Sequence, residues 1–209
     1  VRLGTGRGQV LCLPGICVVD DTYNANPAAV RAALDDLVRL AAERGGRPVA
    51  VLGDMLELGP ESERYHREIG RYAAEIGVEC LWGVGERAWA IGEGFREGVA
   101  ERESSPAMPG PAADHGAEYA VGEYAVGHTT ARSREAGHVP SSEETSSLVA
   151  SLRSGDVVLF KASRGLRLEI MVSRVVALAE AGTWATLADP RACDSRAYDG
   201  VEPEETMSC

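Results

Sequence analysis

The sequence has almost no lysine: of its 21 lysine and arginine residues, only Lys161 is a lysine. No glycine precedes it, so the 209 residues lack the Gly-Lys-Ser/Thr core of a P-loop, whose lysine contacts nucleotide phosphates. The chain is also poor in positive charge, with a formal net charge of -11. Non-specific nucleic-acid binding needs a basic surface, so we expect no nucleic-acid partner.

Cysteine motifs and long apolar runs are absent as well. The five cysteines form no Cys-x-x-Cys pair. Cys12, Cys17 and Cys80 lie in apolar runs, which favours reduced core thiols over a disulfide or metal site. The four histidines show no ligand spacing, so we expect no metal site. No apolar run reaches about 18 residues and no signal peptide is visible, which predicts a cytoplasmic chain without membrane insertion.

Apolar strands and amphipathic helices alternate through most of the chain. Residues 9–20 predict two strands around Pro14-Gly15, a turn signal. Further strands are predicted at 48–52, 80–84 and 155–160, and helices at 28–42, 61–76, 86–95, 141–153 and from 168 onward. The alternation predicts an α/β fold over residues 9–180, with a Rossmann-like, doubly wound, mostly parallel sheet.

Three segments lack this periodicity. Residues 1–8 are glycine-rich and precede the first strand, so we interpret them as a leading segment, an entry loop before the sheet. Residues 102–137 are rich in Ser, Pro, Gly and charge and predict a flexible insertion. Residues 181–209 are predicted to form a disordered acidic tail.

The sequence Asp-Asp-Thr-Tyr-Asn-Ala-Asn-Pro at residues 20–27 joins a predicted strand to a predicted helix. Asn26 suits the N-cap and Pro27 the first helical position. A cap alone needs one polar side chain, so the concentration of acids and amides favours a ligand site over a capped turn. The acids could bind ribose hydroxyls, Mg²⁺ or an ammonium group, and Arg7 could reach a phosphate.

Two further loops follow predicted strands and should share the same edge of the sheet. Residues 53–59 include Asp54 and Glu57. Residues 161–165 place two cations and a hydroxyl at a helix start, which favours an anion site over a solvated basic turn. His66 follows the second loop, and a lone helical histidine is more often structural than catalytic.

Four motifs in fixed order resemble the C-terminal domain of the Mur ligases from about residue 6 to 179. They are the 20–27 motif, Val-Leu-Gly-Asp-Met-Leu-Glu-Leu-Gly at 51–59, His-Arg-Glu-Ile-Gly at 66–70, and Gly-Asp-Val-Val-Leu-Phe-Lys-Ala-Ser-Arg-Gly at 155–165. Within the family, the chain is most similar to the member that adds D-Ala-D-Ala. It has neither the Asp-Asn-Pro-Arg nor the Ala-His-Asn-Pro pattern of other members.

The resemblance implies an ATP-dependent ligase of peptidoglycan precursor synthesis. ATP would phosphorylate the carboxylate of UDP-N-acetylmuramoyl-tripeptide, and the amine of D-Ala-D-Ala would attack the acyl phosphate. An N-terminal UDP-sugar domain and a central ATPase domain would complete the enzyme and hold most of the Mg²⁺ ligands. We therefore expect this fragment alone to be inactive, with no metal site of its own.

The resemblance also implies roles for individual residues. The expected nucleotide contacts are Arg7, Asp21, Tyr23 and Asn24. The expected D-Ala-D-Ala contacts are Asn26, Lys161, Ser163 and Arg164. Possible further residues at the same edge are Asp54, Glu57 and His66.

The chain departs from the family pattern at Ala162, where a glycine is usual, and in its insertion and tail. If the backbone at Ala162 needed a positive φ, the change would cost about 1 kcal/mol. A freestanding, non-catalytic nucleotide- or peptide-binding module is one alternative function. A related Mur-type amino-acid ligase is the other.

Overall fold

Six strands form one mixed sheet in a computed structural model that describes residues 6–104 and 134–182. The strands are β1 (Gln9–Leu13), β2 (Ile16–Asp21), β3 (Arg47–Gly53), β4 (Cys80–Val84), β5 (Glu135–Val139) and β6 (Asp156–Lys161). Their spatial order is β1-β2-β6-β3-β4-β5. Only β1 runs antiparallel to its neighbour, so the predicted mostly parallel α/β sheet is confirmed.

Helices cover both faces of this sheet. They are α1 (Pro27–Arg44), α2 (Ser62–Ile76), α3 (Trp89–Ser104), α4 (Ser146–Ser151) and α5 (Glu169–Glu180), with 3₁₀ turns at Gly59–Glu61 and Arg164–Leu166. One buried cluster joins α1, α2 and α3 to the sheet, and a second joins α4 and α5 to the opposite face. Strands β3 and β6 are buried along their whole length, which explains their unbroken apolar sequences.

Strand β6 lies at a change of direction in the sheet. The chain leaves β2 and β3 toward α1 and α2 on one face, whereas it leaves β6 toward α5 on the other. In open α/β sheets, ligands bind outside the carboxyl ends of strands where such a reversal opens a crevice. The fold therefore predicts a ligand site at the loops after β2, β3 and β6.

Two of the helices predicted from the sequence have the wrong boundaries. The helix predicted at 86–95 is displaced to Trp89–Ser104, and that predicted at 141–153 is shortened to Ser146–Ser151. The glycines of α3 are poor helix formers, but they permit close packing: a Cβ at Gly94 would lie 2.0 Å from a carbonyl oxygen of α2. Tertiary contact therefore extends a helix that local propensity would end.

The predicted insertion at 102–137 is too wide, because α3 reaches Ser104 and β5 begins at Glu135. Strand β5 is an edge strand with little apolar sequence, and Gly137 packs against the Trp82 ring. Residues 105–133 of the insertion, residues 1–5 of the leading segment and residues 183–209 of the tail lie outside the described residues. Within the described part, no helix is long and apolar enough to span a bilayer.

Candidate functional site

The loops after β2, β3 and β6 meet at one edge of the sheet, as predicted. The register pairs Lys161, the last residue of β6, with Asp21 of β2 on one side and Leu52 of β3 on the other. The loop after β6 therefore lies between the other two. We call the three loops (residues 20–27, 53–59 and 161–166) the carboxyl rim.

Lys161 is buried beneath the rim rather than presented at its surface. Its side chain is 4% exposed, and Nζ donates to Oδ2 of Asp21 at 2.5 Å. Nζ also donates to the carbonyl oxygen of Asn24 at 2.9 Å. Two of the three ammonium protons thus serve to hold the β2 loop, so the free cation expected from the sequence is instead an internal ion pair.

The loop after β2 is shaped by its own polar side chains. The buried Asp20 carboxylate accepts the hydroxyl of Thr22 at 2.7 Å and its backbone N–H at 3.3 Å. Asn26 is the N-cap of α1, as predicted, because its Oδ1 accepts the N–H of Ala29 at 2.9 Å. Asn24 accepts the N–H of the following residue at 2.9 Å. Several of the polar groups in this motif therefore fix the turn.

Ser163 joins the three rim loops to one another. Its Oγ accepts the N–H of Leu56 at 2.9 Å and donates to the carbonyl oxygen of Ala25 at 3.4 Å. Its own N–H donates to the carbonyl oxygen of Asp54 at 3.2 Å. The side chain is buried, so Ser163 stabilises the rim from within. The preceding Ala162 is buried and has no positive φ, so it fits the loop without strain.

His66 holds the loop after β3 against α2 and lies below the rim surface. Its ring is fully buried, Nε2 accepts the N–H of Met55 at 2.9 Å, and Nδ1 lies 2.6 Å from the carbonyl oxygen of Ser62. These partners assign the proton to Nδ1 and a lone pair to Nε2, which is the neutral imidazole. A protonated ring could not accept the Met55 N–H.

The two acids of the loop after β3 lie in different surroundings. Asp54 is buried, and its Oδ1 accepts the N–H of Arg87 at 2.9 Å, which ties the loop after β3 to the segment after β4. Glu57 is exposed and has a φ of 64°, in the left-handed region that non-glycine residues seldom adopt. Such backbone conformations concentrate at functional sites.

Arg7, Tyr23 and Arg164 form an exposed cluster in which both guanidiniums lie against the ring of Tyr23. The Tyr23 ring is 39% exposed, and the guanidiniums of Arg7 and Arg164 lie 3.9 and 5.5 Å from its centroid. Gly6 sets the approach of Arg7, because its carbonyl oxygen accepts the Tyr23 N–H at 2.9 Å. We call these three side chains the Tyr23 cluster. It offers two cations and a flat ring to an anionic, planar ligand.

The sequence did not single out Arg87 and Trp89, which lie beyond the loop after β3. They line a shallow surface depression of about 260 Å³ together with Pro60 and Glu63. Both lie within residues 86–95, which are predicted from the sequence only as a helix without a site role. Among the described residues, no group of three or more His, Cys, Asp or Glu side chains could hold a metal ion.

The chain is similar to known ligases across most of its length. The sequence profile of the Mur ligase, glutamate ligase domain matches residues 6–164. A UDP-N-acetylmuramoyl-tripeptide–D-alanyl-D-alanine ligase of Mycobacterium tuberculosis (strain CDC 1551 / Oshkosh) is 34% identical over 180 residues, covering 78% of this chain and 29% of the relative. The Bacillus subtilis (strain 168) enzyme of the same name is 28% identical over 78% of this chain and 28% of its own length. The chain thus spans less than a third of these relatives.

Solved structures share the fold. MurF ligase from Thermotoga maritima, in complex with ADP, aligns with a TM-score of 0.57 at 24% identity, covering 87% of this chain and 33% of that one. MurF from Acinetobacter baumannii aligns with a TM-score of 0.60 at 23% identity, over 83% and 31%. These structures show that the fold is shared, and the profile match over residues 6–164 shows that the chain belongs to the Mur ligase family.

Proposed function

We propose that this chain is the C-terminal domain of an ATP-dependent ligase that joins D-Ala-D-Ala to UDP-N-acetylmuramoyl-tripeptide. The relatives named above carry this activity in their names, and one related structure contains ADP. The observation that carries the proposal is the Tyr23 cluster, which suits a nucleotide at the carboxyl rim. Because the reaction consumes ATP, we assign it to the cytoplasm.

In this proposal Arg7 and Tyr23 of the Tyr23 cluster contact one side of the nucleotide. The Arg7 guanidinium donates to the phosphates, and the Tyr23 ring packs against the nucleoside. Asp21 is partly exposed and accepts a ribose hydroxyl with the carboxylate oxygen that Lys161 does not occupy. Asn24 supports this loop through its backbone contact with Lys161. Lys161 therefore acts as a positioning residue for the nucleotide site.

The incoming dipeptide binds at the exposed part of the loop after β6. Arg164 is exposed, and its fork of N–H donors suits the terminal carboxylate of D-Ala-D-Ala. Asn26 is also exposed and lies on the neighbouring loop. Ser163 is buried in its contacts with two other loops, so we assign it, like Lys161, to holding the loop rather than to the ligand. His66 and Asp54 have the same supporting role.

The described residues do not fit a complete magnesium site, since no suitable cluster of ligands is found among them. The chain also has no Gly-Lys pair to supply a P-loop lysine. We therefore derive no step through Mg²⁺ from these residues. We assign the activation of the tripeptide carboxylate, with the metal and the phosphate lysine, to the central domain of the whole enzyme.

Steady-state kinetics of the whole ligase that contains this chain test the proposal. Arg164→Ala should raise the KM for D-Ala-D-Ala far more than the KM for the tripeptide, because only the dipeptide carboxylate loses its partner. Arg153→Ala removes an exposed guanidinium just before β6, at the opposite end of that strand from the rim, and should change neither constant. Equal increases in both KM values for Arg164→Ala would contradict the assignment. Preference for a single amino acid would instead indicate a related Mur-type ligase.

A freestanding binding module is the second candidate, because the Tyr23 cluster would suit a nucleotide in a non-catalytic module as well. Such a module would bind nucleotide or dipeptide without turning over ATP. Adding a polypeptide with the UDP-sugar and ATPase domains distinguishes the two. Restored phosphate release that depends on both substrates supports the ligase, and binding without restored turnover supports the module.

A further inference from the structure

Two cysteines face each other across the hairpin formed by β1 and β2. Cys12 and Cys17 are directly paired in the antiparallel register, one pair beyond the closing pair of the turn. Directly opposite residues in antiparallel strands have Cα atoms about 4.5 or 5.5 Å apart, within the roughly 4.4–6.8 Å that a disulfide spans. The backbone of the hairpin is therefore already compatible with a bond between the two side chains.

The two sulfur atoms are also in contact. Sγ of Cys12 lies 3.3 Å from Sγ of Cys17, against about 2.05 Å in a disulfide bond. Closing this gap needs only small side-chain rotations, because both residues lie on the same face of the hairpin. Cys80 is also a free cysteine, but it is buried on β4, at a distant position in the sheet.

The two thiols differ in their access to solvent. Cys12 is exposed, contrary to the prediction of a core thiol, because β1 is an edge strand. Cys17 is buried, and burial, followed by the hydrogen bond and charge of the Cys12 sulfur, raises the pKa of Cys17 to about 12. An oxidant in solution therefore meets Cys12 first, whereas Cys17 is held beside it as a thiol.

We propose that the Cys12–Cys17 pair is an oxidative modification site at which peroxide forms a cross-strand disulfide within the hairpin of β1 and β2. Hydrogen peroxide oxidises the Cys12 sulfur to a sulfenic acid and releases one water molecule. The Cys17 sulfur attacks the sulfenic sulfur, its proton leaves with the hydroxide as a second water molecule, and the S–S bond forms. One peroxide is reduced and two thiols are oxidised, so the step is balanced.

The pair is separate from the proposed ligand site. Cys17 lies near the start of β2, whereas the carboxyl rim begins at the end of that strand. The proposal therefore does not depend on the ligase activity, and each can fail without the other. Thiol reductants should reverse the reaction, because a disulfide, unlike a sulfinic or sulfonic acid, is restored by exchange.

Peptide mapping of the purified chain tests the proposal. The chain is treated with hydrogen peroxide, unfolded, alkylated with iodoacetamide and digested with trypsin. Residues 8–31 form one tryptic peptide that contains both cysteines, and residues 72–87 form another that contains only Cys80. We expect the first peptide to lose both alkylation sites and two hydrogen atoms, and the second to remain alkylated. Dithiothreitol before alkylation should restore both sites.

Cys12→Ser is the matched variant. The replaced side chain is exposed, so the substitution should preserve the fold, and circular dichroism checks this. In this variant Cys17 should remain fully alkylatable after the same treatment. Three results would overturn the proposal: a wild-type peptide that keeps two alkylatable thiols, a sulfinic or sulfonic acid at Cys12 beside a free Cys17, or a disulfide from Cys12 to another cysteine.

Discussion

Replacing Lys161 tests whether the single lysine of the chain supports the rim or is free to bind a ligand. Lys161→Met keeps the length of the side chain and removes its charge. The substitution leaves the Asp21 carboxylate, whose side chain is 23% exposed, without its cation. It also removes the hydrogen bond to the Asn24 carbonyl oxygen.

The structure supports a rough magnitude for this loss. At an effective dielectric constant of about 20, unit charges 2.5 Å apart attract by roughly 7 kcal/mol. Desolvation of the two ions offsets most of this attraction, at several kcal/mol for each buried ion. We expect a remaining coupling of about 2 kcal/mol and a total loss of about 2–3 kcal/mol in the free energy of unfolding when the Asn24 contact is included.

Urea unfolding of a double-mutant cycle measures this coupling. Lys161→Met and Asp21→Asn should each destabilise the chain, and the double variant should lose about 2 kcal/mol less than the sum of the two. Arg39→Met, which breaks only exposed ion pairs, should leave the midpoint of urea unfolding nearly unchanged. Additivity within about 0.5 kcal/mol would refute the pair and leave Lys161 available for a ligand.

Three further predictions concern the stability of the fold, each measured by urea unfolding. Gly94→Ala should lower the free energy of unfolding by about 1–3 kcal/mol, because the added Cβ would lie 2.0 Å from a carbonyl oxygen of α2. Gly92→Ala is the control: its added Cβ would have no neighbour nearer than 3.8 Å, so it should stabilise the chain by up to about 1 kcal/mol. Equal effects of the two substitutions would contradict the packing. Arg47→Met leaves the Asp156 carboxylate buried without its guanidinium, so it should lower the free energy of unfolding by about 3–5 kcal/mol. A decrease below about 1 kcal/mol would contradict a buried ion pair. Burial, then a hydrogen bond to a carboxylate of α1, raises the pKa of Tyr72 from 10.0 to about 12. The neutral phenol therefore stabilises the fold below pH 10.0, and this contribution is lost as the pH rises toward about 12, so Tyr72→Phe should flatten the pH dependence of stability across this range.

The sequence predicts the central strands and the position of the rim because both depend on local patterns. Strand β3 is buried on both faces and therefore reads as an unbroken apolar run, with a glycine and acids at its carboxyl end. The N-cap at Asn26 follows from one side chain and the proline after it. These signals need no knowledge of residues that are distant in sequence.

Strand β5 could not be predicted from the sequence, because it depends on tertiary contacts. Its residues Glu-Ala-Gly-His-Val lack the alternation of a half-buried strand. Among the described strands, β5 pairs with β4 alone, and Gly137 leaves room for the Trp82 ring. The length of α3 likewise depends on close packing against α2.

The distinction between supporting and exposed side chains within the rim could not be predicted either. Asp21 and Lys161 are 140 residues apart, and their pairing follows from the parallel register of β2 and β6. Ser163 and His66 both suit a ligand site by residue type, yet both are occupied by backbone groups of neighbouring loops. The cluster of Arg7 and Arg164 on Tyr23 likewise requires three segments to meet.

The central claim is that the carboxyl rim binds both ligands. It is tested by recording amide correlation spectra of the isotope-labelled chain during titration with ADP and, separately, with D-Ala-D-Ala. We predict that ADP shifts the amide signals of residues 6–8 and 20–25, and that the dipeptide shifts those of Asn26 and of residues 162–166. Tyr23→Ala should abolish the ADP response and retain the dipeptide response. Shifts confined to other surfaces, or no response to either ligand at millimolar concentrations, would contradict the assignment of this rim as the ligand site.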